Sequence, residues 1–147
     1  MWRDDARYAV ASAYVGMARG DLLRAEEWLR VKDGATVVRV PRGAYAKRPY
    51  EPSATTKEPK SMPVESCFVD MYEVTNARFA RFLAEQKGDL AKLWDATVLG
   101  VERKGDSFAA APGLEEFPVT AATGFGAAAY AAWAGGRIPS QAEWEKA

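Results

Sequence analysis

From Asp4 to Arg30 the apolar residues Tyr8, Ala11, Val15, Ala18, Leu22, Ala25 and Leu29 recur at alternating steps of three and four, the spacing of a helix with one buried stripe. Gly20-Asp21 falls in the middle of this stretch. Glycine can end one helix there and aspartate can cap the next, so a helical hairpin competes with a single bent helix. Residues 1–33 are therefore expected to be a helical N-terminal appendage, used for packing or for docking on a neighbour. One unit shows no period that would make it a repeat.

Beyond it the period changes. Asp33-Gly34 is a turn signal, and Thr36 to Val40, short and β-branched, reads as a strand. Ala46 to Met62 holds Pro49, Pro52 and Pro59 among polar residues, a composition that neither continues a helix nor sits inside a sheet. A surface loop is expected there, followed by a second extended segment from Val64 to Tyr72. Thr75 then opens a helix that buries Phe79, Phe82 and Leu83 and turns Arg78 and Arg81 to water. Gly88 to Pro118 follows no period and reads as long ordered loops anchored by Trp94, Val98, Val101 and Phe108. Thr123 precedes an alanine-rich run, Gly124 to Trp133, that reads as a helix ended by Gly135-Gly136.

Pro139 and Ser140 stand just ahead of Glu143. Serine three residues before glutamate is a capping box, which satisfies the free amides of a helix start, so a helix begins at Gln141. About two turns of chain remain, whereas isolated helices under ~12 residues need tertiary packing to persist. The expectation is a chain cut from a larger body.

Composition narrows the function classes. Lysine plus arginine and aspartate plus glutamate number 20 each, so no excess positive charge is available for a phosphate backbone or an anionic membrane face. Neither a nucleic acid nor a membrane is expected as partner. No stretch approaches the ~18 apolar residues of a spanning helix, and the charged start lacks the apolar core of a secretory signal; a cytoplasmic location is the expectation. The chain has one cysteine, Cys67, and no histidine, so an internal disulfide and the commonest metal ligand are both missing. Cys67 beside Phe68 in an extended segment reads as a small buried hydrophobe. Glu73, Asp106, Glu115 and Glu116 are not spaced as a calcium loop. No catalytic and no metal-ligating residue is assigned.

Three strings together resemble the formylglycine-generating enzyme family, also called the sulfatase-modifying factor domain. The first, Val38 to Tyr45, is similar to the family's opening strand and turn. The second is Phe68-Val69-Asp70-Met71-Tyr72-Glu73-Val74-Thr75-Asn76, followed by a helix bearing Phe79 and Phe82. The third runs from Pro118-Val119 through Ala127, Tyr130 and Trp133 to Arg137-Ile138-Pro139-Ser140-Gln141-Ala142-Glu143-Trp144-Glu145. The resemblance covers Thr36 to Ala147 and marks Glu73, Val74, Thr75, Asn76, Tyr130, Trp133, Arg137, Pro139, Glu143 and Trp144 as signatures of the fold.

The resemblance implies an α+β chain, the N-terminal portion of the formylglycine-generating-enzyme variant of the C-type lectin-like fold. It implies a parent that is a metal-dependent oxidase of a protein cysteine, acting on a sulfatase-type peptide with copper held by a cysteine pair, and with calcium sites. Those groups belong to a region downstream of Trp144, so this chain alone is expected to be inactive and to hold no cofactor. The alternative is a non-catalytic ligand- or protein-binding module of the same fold, such as a retroelement variable protein or a kinase-linked sensor domain. Trp133, Arg137 and Trp144 are expected to pack and hydrogen-bond the domain rather than to bind a ligand. Two departures stand out: Gly124 and Gly126 replace the family's tryptophan and an acidic residue, so the helix at Tyr130 is expected to begin less firmly.

Overall fold

The computed structural model describes residues 8–10, 27–47 and 60–147. In chain order come β1 (Tyr8–Val10), β2 (Glu27–Arg30), β3 (Thr36–Val40), β4 (Gly43–Lys47), β5 (Lys60–Val64) and β6 (Cys67–Asp70). Strands β1, β2, β3 and β6 form an antiparallel sheet in the order β1-β2-β3-β6, while β4 and β5 pair as a separate hairpin. The β2–β3 turn puts Gly34 at φ +73°, a backbone that glycine adopts without strain. It closes through Gly34 N–H to the Arg30 carbonyl and Arg30 N–H to the Ala35 carbonyl, both 2.8 Å.

Three expectations are corrected here. Residues 8–10 and 27–30 are strands, not parts of a helix; the rest of the apolar stripe, Ala11 to Ala25, lies outside the described residues. The register Glu27↔Val38, Trp28↔Val37 and Leu29↔Thr36 ties β2 to β3, and Trp28 meets Phe68 edge-on at 4.8 Å. Both partners are non-local, so a local period does not report them. Strand also covers both ends of the expected loop from Ala46 to Met62, because β4 pairs with β5 from Gly43↔Val64 to Lys47↔Lys60. Pro63 is tolerated there since a two-stranded hairpin has only edges. Pro49, Pro52 and Pro59 lie outside the described residues. The expected extended segment from Val64 to Tyr72 is divided: β5 ends at Val64 and β6 occupies Cys67–Asp70.

Helix α1 (Asn76–Glu85) begins where Thr75 accepts from the amide of Arg78, and it buries Phe79, Ala80, Phe82 and Leu83. Its first amides are taken from outside the helix: Asn76 N–H donates to the Phe117 carbonyl at 2.9 Å and Ala77 N–H to that of Glu115 at 3.0 Å. The helix start thereby fastens the long connection that follows it. That connection is more regular than its sequence suggests, with a 3₁₀ turn at Leu90–Lys92 and a hairpin of β7 (Val101–Lys104) and β8 (Ser107–Ala110). Trp94 and Val101 are buried, Val98 and Phe108 half-buried against the same core. Gly100, at φ +139°, allows the close approach of Asn76: a Cβ there would stand 2.5 Å from Asn76 Oδ1.

Helix α2 (Gly124–Trp133) is capped by Thr123, which accepts from the Gly126 amide and donates to the Lys92 carbonyl. Gly126 is buried against the backbone of Leu93, where an added Cβ would lie 1.9 Å from the carbonyl oxygen. The absent acidic side chain is thus the condition for seating α2 on the 3₁₀ turn, and the cap holds the helix start. Tyr130 stacks on Phe79 at 5.9 Å and meets Phe82 edge-on at 5.6 Å, joining α2 to α1 in one aromatic core. Gly135, at φ +89°, ends the run. Helix α3 (Gln141–Lys146) carries the complete capping box of Ser140 and Glu143 and lies beside the β4–β5 hairpin, with Lys146 donating to the Pro41 carbonyl. The architecture is mixed: helices with small sheets.

Candidate ligand groove

Between β6 on one side and α2 with α3 on the other runs a groove of about 480 Å³. Its first wall is the unbroken run Cys67 to Val74, and its second comes from Ala127 to Trp144. Met71, Tyr72, Ile138 and Trp144 line it and are exposed, Trp144 at 66%. These four exposed large apolar side chains share the lining of one groove.

The floor is polar. Arg30 donates from Nε and Nη2 to Asp33 at 2.8 and 2.6 Å, and from Nη1 and Nη2 to Asp70 at 2.6 and 2.8 Å. Tyr130 donates its hydroxyl to the same Asp33 carboxylate. The Asp33 side chain is fully buried and that of Arg30 10% exposed. Burial opposes the charge on Asp33, but the hydrogen bonds from Arg30 and Tyr130 outweigh it and hold the carboxyl below its ordinary range. Burial and then the bonded Asp33 drive the Tyr130 hydroxyl upward, so it serves as a donor rather than an anion.

Arg137 and Glu143 form the rim, joined by Nη2 to Oε1 at 2.5 Å and Nη1 to Oε2 at 2.8 Å. The guanidinium, with the Ser140 amide, lowers the Glu143 carboxyl from 4.5 to about 2. Cys67 is buried and free. Burial, then Glu143, pushes its thiol up, away from the thiolate that nucleophilic or metal chemistry needs.

The groove gathers seven of the signature residues: Glu73, Val74, Tyr130, Arg137, Pro139, Glu143 and Trp144. Thr75 caps α1, and Asn76 is buried, donating to the Leu114 carbonyl at 2.9 Å. Trp133 leans away, its indole N–H donating to Glu85 at 2.7 Å with Lys32 over its ring. Arg78 and Arg81 do more than face water: their guanidiniums donate to the carbonyls of the β2–β3 turn, at Gly34 and at Lys32 and Asp33. Arg30, Asp33 and Asp70 were not singled out by sequence as a set. Arg30 and Asp70 at the ends of short strands were the available signal, but those two stand 40 residues apart. Among the described residues no three histidine, cysteine or acidic side chains gather as a metal site, and no helix is long and apolar enough to cross a membrane.

A family model described as the sulfatase-modifying factor enzyme 1-like domain matches residues 24–147. The serine/threonine-protein kinase Pkn1 of Chlamydia trachomatis serovar L2 is 38% identical over 87 residues, covering 54% of this chain and 14% of the kinase. Its counterparts in Chlamydia caviae and Chlamydia pneumoniae are each 36% identical over 89 residues, 56% of this chain and 14% of theirs. The chain thus spans 14% of the length of these curated relatives. No solved structure matches it.

Proposed function

Because the chain belongs to the sulfatase-modifying factor enzyme 1-like domain family, we propose that it is a non-catalytic binding module, linked to a kinase in its parent protein, whose ligand lies in the groove between β6 and α2–α3. The observation that carries this reading is the groove itself, with exposed Met71, Tyr72, Ile138 and Trp144 over a floor whose charges are already paired. Relatives that are named kinases favour the kinase-linked form of the alternative. The C-type lectin-like form of the fold is part of the same proposal.

The oxidase reading, with copper, calcium and a sulfatase-type peptide, stands behind it. On that reading the copper-holding cysteine pair belongs to a region downstream of Trp144, and the one thiol of these 147 residues is buried in β6. The test has two arms. An apolar fluorescent dye, 8-anilinonaphthalene-1-sulfonate, should bind the folded chain saturably, and Ile138→Asp should weaken that binding by ~tenfold while circular dichroism stays unchanged. Copper-dependent oxidation of a cysteine peptide by the same 147-residue chain would sink the non-catalytic reading, as would dye binding indifferent to Ile138→Asp.

A further inference from the structure

Resting on that recognition reading and deepening it, we propose that the groove takes a lysine side chain, set among apolar neighbours, from another polypeptide, with its ammonium at Asp70 and Glu73. Pairing within the groove is not neutrality. Arg30 and Arg137 line it against Asp70, Glu73 and Glu143, and Asp33 beneath Arg30 is a further carboxylate. The chain as a whole balances 20 lysines and arginines against 20 acidic side chains, so this surplus of negative charge is local. It is also lopsided. Arg137 closes on Glu143 with two bonds, and Lys146 acts on Cys67 from nearby while donating to the Pro41 carbonyl. The surplus therefore falls at Asp70 and Glu73, where one Arg30 serves two carboxylates. Glu73 is exposed and forms no ion pair among the described residues. Arg78 shares a neighbouring hollow with it but donates to the Gly34 carbonyl at 3.3 Å. Surplus carboxylates in a cleft with apolar walls focus their field on a cation.

The geometry at Asp70 selects lysine over arginine. Arg30 already holds that carboxylate through both oxygens, Nη1 to Oδ1 at 2.6 Å and Nη2 to Oδ2 at 2.8 Å. A second guanidinium would need the same two-oxygen edge for its planar fork, whereas an ammonium is a compact donor that takes one remaining lone pair. The Asp70 side chain is 26% exposed, so it can be reached. Lysine also brings a stem of four methylenes, which lies on apolar surface while its head stays with the charges. Met71, Tyr72, Ile138 and Trp144 supply that surface, and the faces of Tyr72 and Trp144 attract the ammonium as well. The same surplus repels an acidic segment.

The test uses the full chain and a capped pentapeptide of valines around a central lysine, with twins that carry arginine, norleucine or glutamate at the centre. The lysine peptide should bind saturably by ~1 mM and shift the amide resonances of Tyr72 and Glu73. The arginine twin should bind ~threefold more weakly, and the norleucine and glutamate twins ~tenfold. Glu73→Gln, a change at an exposed position, should weaken the lysine peptide ~threefold and leave the norleucine twin unchanged. No saturable binding, any twin as good as the lysine peptide, or lysine binding indifferent to Glu73→Gln would each overturn the inference. So would shifts at Tyr72 and Glu73 that grow with protein concentration without peptide, which would assign the groove to a second copy. If the peptides fail while the dye still depends on Ile138, the lysine inference falls alone; if the dye arm fails too, the recognition reading falls with it.

Discussion

Asp33 accepts from Arg30, from Tyr130 and from the amide of Ala35 at 3.2 Å, which is why a carboxylate with no water contact stays ionised beneath the groove. Removing its charge leaves Arg30 with one partner where it had two, inside the protein. Asp33→Asn should therefore cost ~3–5 kcal/mol in urea unfolding, and Tyr130→Phe, which deletes one bond to a charged group, ~1.5–3 kcal/mol. The folded carboxyls of Asp33 and Glu143 both titrate below their ordinary values, so their stabilisation is present above those values and is lost as acid protonates them in the folded state. For Glu143 the loss should run from pH 4.5 down to about 2. A pH titration of α3 by amide exchange that showed it loosening above pH 6 instead would contradict the Arg137 pairing.

At the scale of elements, the helix starts decide more than the helix interiors. Gly124 and Gly126 sit two residues apart in α2, yet a Cβ meets nothing within 4 Å at the first and the Leu93 carbonyl at 1.9 Å at the second. Gly124→Ala should stabilise by ~0.4–1 kcal/mol through the unfolded chain, while Gly126→Ala should destabilise by ~1–3 kcal/mol although alanine is the better helix former. Equal melting shifts of the same sign would refute the packing of α2 on the 3₁₀ turn. Ser140→Ala, which removes half of the capping box, should cost ~1 kcal/mol, felt as faster exchange in α3 rather than as global unfolding. The periods around Thr75, Thr123 and Ser140 made all three helices legible, because caps and stripes are local. The β7–β8 hairpin was missed because Val101 to Lys104 and Ser107 to Ala110 lack strict alternation, although Gly105-Asp106 between them is a two-residue hairpin signal and Gly105 takes φ +64° in the turn.

For the molecule as a whole, the groove separates stability from binding. Trp144 is largely exposed, so Trp144→Ala should change the unfolding free energy by no more than ~0.5 kcal/mol while lowering groove occupancy by the dye several-fold. A large loss of stability would mean that the indole packs the fold after all, as sequence alone suggested. The three helices, strand β3, the buried anchors and the family were written in the sequence, because each depends on residues within a few positions of one another. Tertiary structure alone decided that residues 27–30 join the sheet, that Arg30, Asp33, Asp70 and Tyr130 meet, and that β6 faces α2 and α3 across a groove. Ladder pairing and buried ion pairs depend on partners as many as 97 residues apart, and nothing in a local period records which distant strand or carboxylate will be the partner.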